Sequence, residues 1–320
     1  MKRIPLGHTG MEVSAFCLGV MFFGTLTAED MAYQLADRYF EAGGRFFDTS
    51  NNYAFWINGA TGDESETVLG RWLKSRKHRD QIILATKVGA RPTQPGGGKD
   101  SWEGLSARAI ERAVEGSLTR LGTDYLDLYY AHIDDRQTPL DETLAAFDRL
   151  VTAGKVRAIG CSNMMAWRIE QAHSISHLHG WTAYCCVQQR YSYLQPTAGT
   201  TFETQVAASQ ELLDYCQAHE DFPLLAYSPL LSGVYTRQDV TLPPQYRSSD
   251  TEARLGALAT VAADTGATPN QVVLAWLRQS TPAVIPLIAA SNTTQLDENL
   301  GAVQVQLSGE HLRRLNSPDM

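Results

Sequence analysis

The sequence lacks the marks of several common protein classes, and each absence closes a door. No Gly-x-Gly-x-x-Gly follows any apolar run, so the turn that brings backbone close to a pyrophosphate in an open dinucleotide-binding sheet is missing. Gly96-Gly-Gly-Lys99 is not a phosphate loop either, because Asp100 stands where Ser or Thr is needed and Thr93 where the first Gly should be. Nothing approaches the roughly 20 apolar residues of a membrane span. The start, Met1-Lys-Arg-Ile-Pro5, leads into Gly7 and His8 rather than an apolar run. Lys and Arg number 27 against 35 Asp and Glu, a formal net charge of −8 without a basic stripe, so the electrostatic footprint for nucleic acid is absent. The expectation is a soluble cytoplasmic protein with neither a nucleic acid nor a membrane as partner.

Cysteine is sparse and unpaired in pattern. Cys17, Cys161, Cys185, Cys186 and Cys216 are odd in number and scattered, which reads as buried reduced thiols rather than a disulfide framework. His173, His177 and His179 cluster, the first two at i, i+4, but at the far end of an expected helix, away from any strand end. A solvated helix end is the reading there, and no metal site is expected.

What is present is an alternation. The chain has 320 residues, 43% hydrophobic and 19% charged, the balance of a globular protein, and is expected to form a single domain over 1–320. Two short apolar pieces flank Gly7-His-Thr-Gly10 between Arg3 and Ser14, which predicts a hairpin. Ala15–Gly19 is a first buried strand and 28–42 a first helix. Further strands fit near 45–48, 82–87, 126–130, 156–160, 184–188, 223–227 and 283–287. Helices fit near 64–76, 106–121, 139–153, 165–174, 204–219, 251–266 and 292–301. Eight strand–helix units in one run predict an α/β fold, a closed (β/α)8 TIM barrel, because parallel neighbours need crossover connections. Loops 54–63, 88–104 and 189–203 are long enough to shape a pocket at the C-terminal face. Pro92–Gly98 reads as mobile, and a tail helix is expected near Gly309–Leu315.

Sites in such a barrel gather beyond the C-terminal ends of the strands. Asp48 closes the strand Arg45-Phe-Phe-Asp48, Tyr53 follows on the loop, Lys87 closes Ile82-Ile-Leu-Ala-Thr-Lys87, and His132 closes Leu126-Asp-Leu-Tyr-Tyr-Ala-His132. Tyrosine ionises near a pKa of about 10, so for it to transfer a proton at neutral pH a nearby cation has to favour its ionised form. Taken singly, a strand-end Asp or Lys reads equally well as a salt-bridged structural residue. Ser162-Asn163 and Gln188, ending strands five and six, read equally as turn caps.

In order along the chain, Asp48-Thr-Ser-Asn-Asn-Tyr53, Ala85-Thr-Lys87, Leu128-Tyr-Tyr-Ala-His132, Gly154–Asn163, Tyr227-Ser-Pro-Leu230 and Gln295-Leu-Asp-Glu-Asn299 resemble the signatures of the aldo-keto reductase family. Ser50 departs from the Ala of the first signature. The resemblance implies a hairpin plugging the barrel floor and reduction of an aldehyde or ketone by hydride from NADPH, with NADH as the alternative. It implies Tyr53 as proton donor, Lys87 held by Asp48 lowering the donor's pKa, and His132 hydrogen-bonding the carbonyl oxygen. Implied cofactor contacts are Gly19, Met21, Asp48, Ser162, Asn163, Gln188, Tyr227 (stacked on the nicotinamide), Ser228, Pro229, Leu230, Gly233, Arg237, Ala290, Ser291, Gln295 and Asn299. Many members carry Arg or Lys where Ser291 stands. Ala290-Ser-Asn-Thr-Thr-Gln295 is also similar to the potassium-channel β-subunits of the family, where NADP persists, and Arg237 is a candidate for the missing charge. Phe23, Phe55, Trp56, Met164 and Trp167, with Tyr53 and His132, are expected to line the substrate pocket, for a small-molecule carbonyl or sugar. Two alternatives stay open: a sugar or polyol dehydrogenase running toward oxidation, and a slow-turnover redox-sensing binding module. The oligomeric state is not legible.

Overall fold

A computed structural model of the chain describes residues 1–57, 59–94 and 97–317. Asn58 of the first long loop, Pro95 and Gly96 of the stretch expected to be mobile, and Pro318–Met320 of the tail lie outside the described residues.

The hairpin strands are β1 (Arg3–Pro5) and β2 (Glu12–Ser14). The barrel strands follow as β3 (Cys17–Gly19), β4 (Phe46–Asp48), β5 (Ile83–Val88), β6 (Leu126–Ala131), β7 (Val156–Ser162), β8 (Tyr184–Arg190), β9 (Leu224–Tyr227) and β10 (Val284–Ile288). They close in sequence order, each parallel to its neighbour, with β10 returning to β3. Around them run α1 (Glu29–Glu41), α2 (Glu64–Arg76), α3 (Ala107–Leu121), α4 (Leu140–Thr152), α5 (Ala166–His179), α6 (Gln210–Ala218), α7 (Thr251–Thr265), α8 (Pro269–Gln279), α9 (Thr293–Gly301) and α10 (Gly309–Asn316). The expected TIM barrel is therefore the observed fold. No helix among the described residues is long and apolar enough to cross a membrane.

The two-residue period of a strand divides the core in two. Cys17, Phe46, Ala85, Leu128, Tyr130, Ala158 and Leu225 point into the barrel, while Phe47, Leu84, Val88, Tyr129 and Ile159 pack outward against the helices. The register of β7 against β8 steps from Ile159↔Tyr184 to Cys161↔Val187, a bulge that turns both Cys185 and Cys186 inward. All five cysteines are free and buried. The hairpin contributes Leu6 and Val13 to the same interior cluster, so it closes the floor of the barrel. Gly7 makes that closure possible: its φ is +54°, and a Cβ there would stand 2.5 Å from the Cys185 carbonyl oxygen.

Helices depart from expectation in three places. α8 was not expected, yet it is the helix packed on β10, with α7 lying outside it. Its start is written locally as Thr268-Pro-Asn-Gln271, a capping box with Pro in the first turn. Because the apolar run at 251–266 already supplies a helix between two strands, the strand–helix alternation masks a second one. The helix expected at 204–219 begins only at Gln210. The preceding residues are extended, with Val206 N–H donating to Asn163 Oδ1 (3.0 Å) and Ala208 N–H to the Arg190 carbonyl (2.8 Å). The helix expected at 165–174 runs on to His179, and His173 is held by Tyr215 Oη (2.9 Å) and the Tyr184 carbonyl (3.0 Å).

Candidate active site

Strand period alone brings the site together. On β4, Phe46 points in and Phe47 out, so Asp48 points in at the mouth; on β5, Ala85 points in, Thr86 turns out to Glu66, and Lys87 points in above Ala85. His132 stands one step beyond β6, its N–H donating to the Val88 carbonyl (2.9 Å). Tyr53 is on the loop after β4.

Asp48 and Lys87 are fully buried. Lys87 Nζ spends its three protons on Asp48 Oδ2 (2.5 Å), the Thr49 carbonyl (2.8 Å) and Tyr53 Oη (2.5 Å). Tyr53 Oη in turn donates to Asp48 Oδ2 (3.0 Å), and Gln188 Nε2 donates to Asp48 Oδ1 (2.9 Å). Both Asp48 oxygens, all three Lys87 protons and the Tyr53 hydroxyl have partners, which offsets part of the desolvation cost of a buried ion pair. The Tyr53 and His132 rings meet edge to face, centroids 6.0 Å apart.

The balance of forces on Tyr53 differs from the sequence expectation. Burial, followed by the Asp48 charge and its hydrogen bond, holds the phenol well above its usual value, so it stays protonated. Lys87 is pulled down by burial and partly restored by Asp48. Burial and the Lys87 charge keep His132 neutral, well below its usual value. At rest the cluster stores a proton on Tyr53, with a cation already against its oxygen.

The second group also assembles at the mouth, in a more constrained form than expected. Asn163, at φ +55°, donates from Nδ2 to the His132 carbonyl (3.0 Å) and Ser162 Oγ (3.1 Å). Its Oδ1 accepts from Tyr227 Oη (2.7 Å) and Val206 N–H (3.0 Å). Ser162 Oγ donates to the Gln188 carbonyl (2.8 Å). Asn163 has therefore used its amide on the protein itself, while Gln188 uses only its Nε2, on Asp48.

The loop after β9 carries positive φ at Ser228, Leu231, Ser232 and Gly233, and closes on itself through Leu231 N–H to the Ser228 carbonyl (3.2 Å) and Gly233 N–H to the Leu230 carbonyl (2.8 Å). Ser291 Oγ and N–H both contact Gln295 Oε1 (2.9 Å each) at the start of α9, whose cap is Asn292. Asn299 Nδ2 ties α9 to the Ala289 carbonyl (3.1 Å) and is itself buried. Arg237 does not offer the free charge expected of it, because its guanidinium is paired with Asp239 (2.5 and 3.0 Å) on the surface.

The expected pocket wall divides. Phe55 and Trp56 stack edge to face (5.2 Å) just past Tyr53, and Trp56 and Trp167 are 53% and 51% exposed, the Trp167 ring lying under the Arg136 guanidinium (5.0 Å). Phe23 and Met164 lie within the core at 4% and 1%, so they present almost no surface to a ligand. A half-open cavity of about 360 Å³ lies elsewhere, among Asn51, Arg91, Glu103 and Arg120, and does not include Tyr53 or Lys87; the chemistry, rather than cavity size, identifies the mouth. Sequence reasoning missed the supports: Thr49 through its carbonyl, and Ser50 and Asn52, which reach His132 through Ser50 Oγ···Nδ1 (3.2 Å). The signal in the sequence is the Ser50 departure itself.

The model described as "Aldo/keto reductase family" matches residues 15–319. The chain is similar to an oxidoreductase of Bacillus subtilis named YrpG, 32% identical across 99% of this chain and 95% of that protein. It is similar to the norsolorinic acid reductase stcV of Emericella nidulans, 33% identical across 97% and 79%. An aryl-alcohol dehydrogenase of Pestalotiopsis microspora is 26% identical across 98% and 80%.

Proposed function

The chain belongs to the aldo/keto reductase family, and from that premise we propose that its barrel mouth reduces an aromatic aldehyde or ketone to the alcohol with NADPH, Tyr53 giving the proton. As a member of the family it is an NAD(P)-dependent oxidoreductase acting on carbonyl groups. The observation that carries the finer reading is the Tyr53 phenol, protonated by its surroundings and hydrogen-bonded by Lys87 Nζ at 2.5 Å.

A dihydronicotinamide supplies a hydride, which leaves negative charge on the substrate oxygen. Tyr53 Oη turns its proton from Asp48 Oδ2 to that oxygen and gives it up. The charge this leaves on Oη is met by Lys87, which Asp48 and the Thr49 carbonyl hold in place. His132, neutral beside the donor, bounds the space for the carbonyl. Reduction draws on a phenol that keeps its proton, and the surroundings of Tyr53 hold it in that form.

The residues fit the cofactor. Gln188 Oε1 is open to a carboxamide, Tyr227 lies beside it with its hydroxyl anchored on Asn163, and the positive-φ loop from Ser228 suits a pyrophosphate. Ser291, at the start of α9, would take the 2′-phosphate through a hydroxyl that Gln295 Oε1 holds at rest, rather than Arg237, which Asp239 holds. Names of two relatives, a norsolorinic acid reductase and an aryl-alcohol dehydrogenase, together with exposed Trp56 and Trp167, favour aromatic substrates.

The test is oxidation of NADPH and NADH, followed in parallel with aromatic aldehydes, α-dicarbonyls and keto-sugars. Faster turnover of NADPH with aromatic aldehydes is expected. Tight cofactor binding without turnover of any carbonyl would replace this reading with a redox-sensing module.

A further inference from the structure

The half-open cavity away from the mouth lies between three segments. One side is a stripe of α3, Arg112, Gly116 and Arg120, spaced four residues apart so that they share a face. The other is the short ladder after β5, where 91–93 runs beside 101–103, joined by Asn51 from the loop after β4. Glycine inside a helix costs up to about 1 kcal/mol against alanine, and here it leaves the floor open: a Cβ on Gly116 would stand 3.0 Å from Arg120 Nη1. Two of the guanidiniums are already neutralised. Arg91 and Arg120 share Asp63 (2.5 and 3.2 Å), and Arg120 also holds Glu66 (2.6 Å). Arg112 is exposed and is paired with no carboxylate among the described residues. Glu103 uses only its Oε1, on Asn51 Nδ2 (2.7 Å) and the Gly89 N–H (3.0 Å).

We propose that this cavity binds a hydroxylated anion, a sugar phosphate in chemical class, and that its occupancy lowers turnover at Tyr53. The spare charge of Arg112 takes the anion, and its planar fork matches a pair of phosphate oxygens. Beyond it the wall offers donors on Arg91 and Arg120 and an acceptor in Glu103 Oε2, a mixture that suits hydroxyls, which both donate and accept. An ammonium in that place would lie among the guanidiniums and be repelled, which sets amino acids aside. A volume of about 360 Å³ is at the small end of ligand pockets and holds one phosphorylated hexose. The link to the mouth is the segment 49–53. On the cavity side, Arg91 Nη1 donates to the Asn51 carbonyl (2.6 Å) and Glu103 accepts from the Asn51 side chain. On the other side, the Thr49 carbonyl meets Lys87 Nζ (2.8 Å) and Ser50 Oγ meets His132 Nδ1 (3.2 Å). A ligand that draws Arg91 from the Asn51 carbonyl loosens the segment that carries Tyr53, and a displaced proton donor loses rate. The binding site stands apart from the proposed function; the effect on turnover rests on it.

Calorimetry on protein saturated with NADP+ keeps the phosphate-binding end of the cofactor site out of the measurement. The probe is α-glucose 1-phosphate, whose blocked anomeric carbon cannot open to an aldehyde and be reduced. It should bind at least about tenfold more tightly than inorganic phosphate or methyl α-glucoside, and Arg112→Ala, a change at an exposed position, should weaken it by about tenfold. Glu103→Gln keeps Oε1 for Asn51 and Gly89 and puts a donor in place of Oε2, so it should bring glucose 1-phosphate down toward inorganic phosphate. No heat at about 10 mM probe, equal binding of inorganic phosphate, or binding that survives Arg112→Ala would overturn the site. In the second arm, with an aromatic aldehyde, glucose 1-phosphate should lower kcat several-fold in the wild type and not in Arg112→Ala. A wild-type kcat that does not fall would overturn the coupling. A protein that reduces no carbonyl at all would contradict the proposed function instead, while the calorimetry still decides the site.

Discussion

Two aspartates of the barrel are fully buried on neighbouring parts of the same sheet, Asp127 near the floor and Asp48 at the mouth, and each carboxylate accepts three hydrogen bonds. Asp127 takes Arg79 Nη1 (2.8 Å), Arg157 Nη1 (2.8 Å) and the Leu84 N–H (3.0 Å). Asp48 takes Lys87 Nζ, Tyr53 Oη and Gln188 Nε2. Burial and satisfaction are equal, and the partners are not. A guanidinium and a backbone amide keep their protons at any working pH, whereas an ammonium and a phenol can exchange theirs. The floor cluster can only hold β5, β6 and β7 together; the mouth cluster can also move a proton. In this fold the C-terminal face carries chemistry and the opposite face stability, and here the difference comes down to which donors surround a carboxylate.

The sharpest break in the comparison is expected from Lys87→Met. Removing the cation against Tyr53 should lower kcat for reduction by roughly 10²- to 10³-fold while leaving a folded barrel. Steady-state rates beside a circular-dichroism melt would check both halves. At the floor, Asp127→Ala should do the reverse: about 3 kcal/mol less stable to denaturant, because two guanidiniums lose their carboxylate, with kcat/KM below the transition changed by less than about twofold. A loss of activity comparable to that of Lys87→Met would erase the distinction drawn between the clusters.

Smaller effects belong to the cofactor end. Ser291→Ala should raise KM for NADPH several-fold and leave KM for NADH alone. Arg237→Ala should change either value by less than about threefold, since its exposed charge is already paired with Asp239. The smallest expected effect is an absence. In the reduction direction the rate falls only as pH rises through the Tyr53 ionisation, which lies above 10.0, and neutral His132 contributes nothing near 6.5. The kcat/KM profile should be flat from about pH 6 to 9, and an inflection near neutrality would show an ionising His132.

Much of this was written locally. Short apolar runs ending in Asp48, Lys87 and His132 fix strands, mouth and cluster together, because the strand period decides which side chain turns inward. α8 escaped because the alternation of strand and helix counts one helix per crossover, and nothing local says that the 251–266 helix leaves β10 uncovered. The internal use of Asn163, the pairing of Arg237 with Asp239 and the burial of Phe23 and Met164 arise from contacts between distant segments. The raised Tyr53 ionisation was misjudged for a similar reason: a cation nearby was legible, and the desolvation by everything else around it was not.

The most direct measurement sets three proteins side by side, the wild type, Tyr53→Phe and Asp127→Asn, in cofactor oxidation with an aromatic aldehyde. Turnover by the wild type and by Asp127→Asn, with Tyr53→Phe slower by about 10³-fold, is the predicted result. A Tyr53→Phe variant that keeps near wild-type turnover would contradict the assignment of the proton donor, and with it the distinction between mouth and floor.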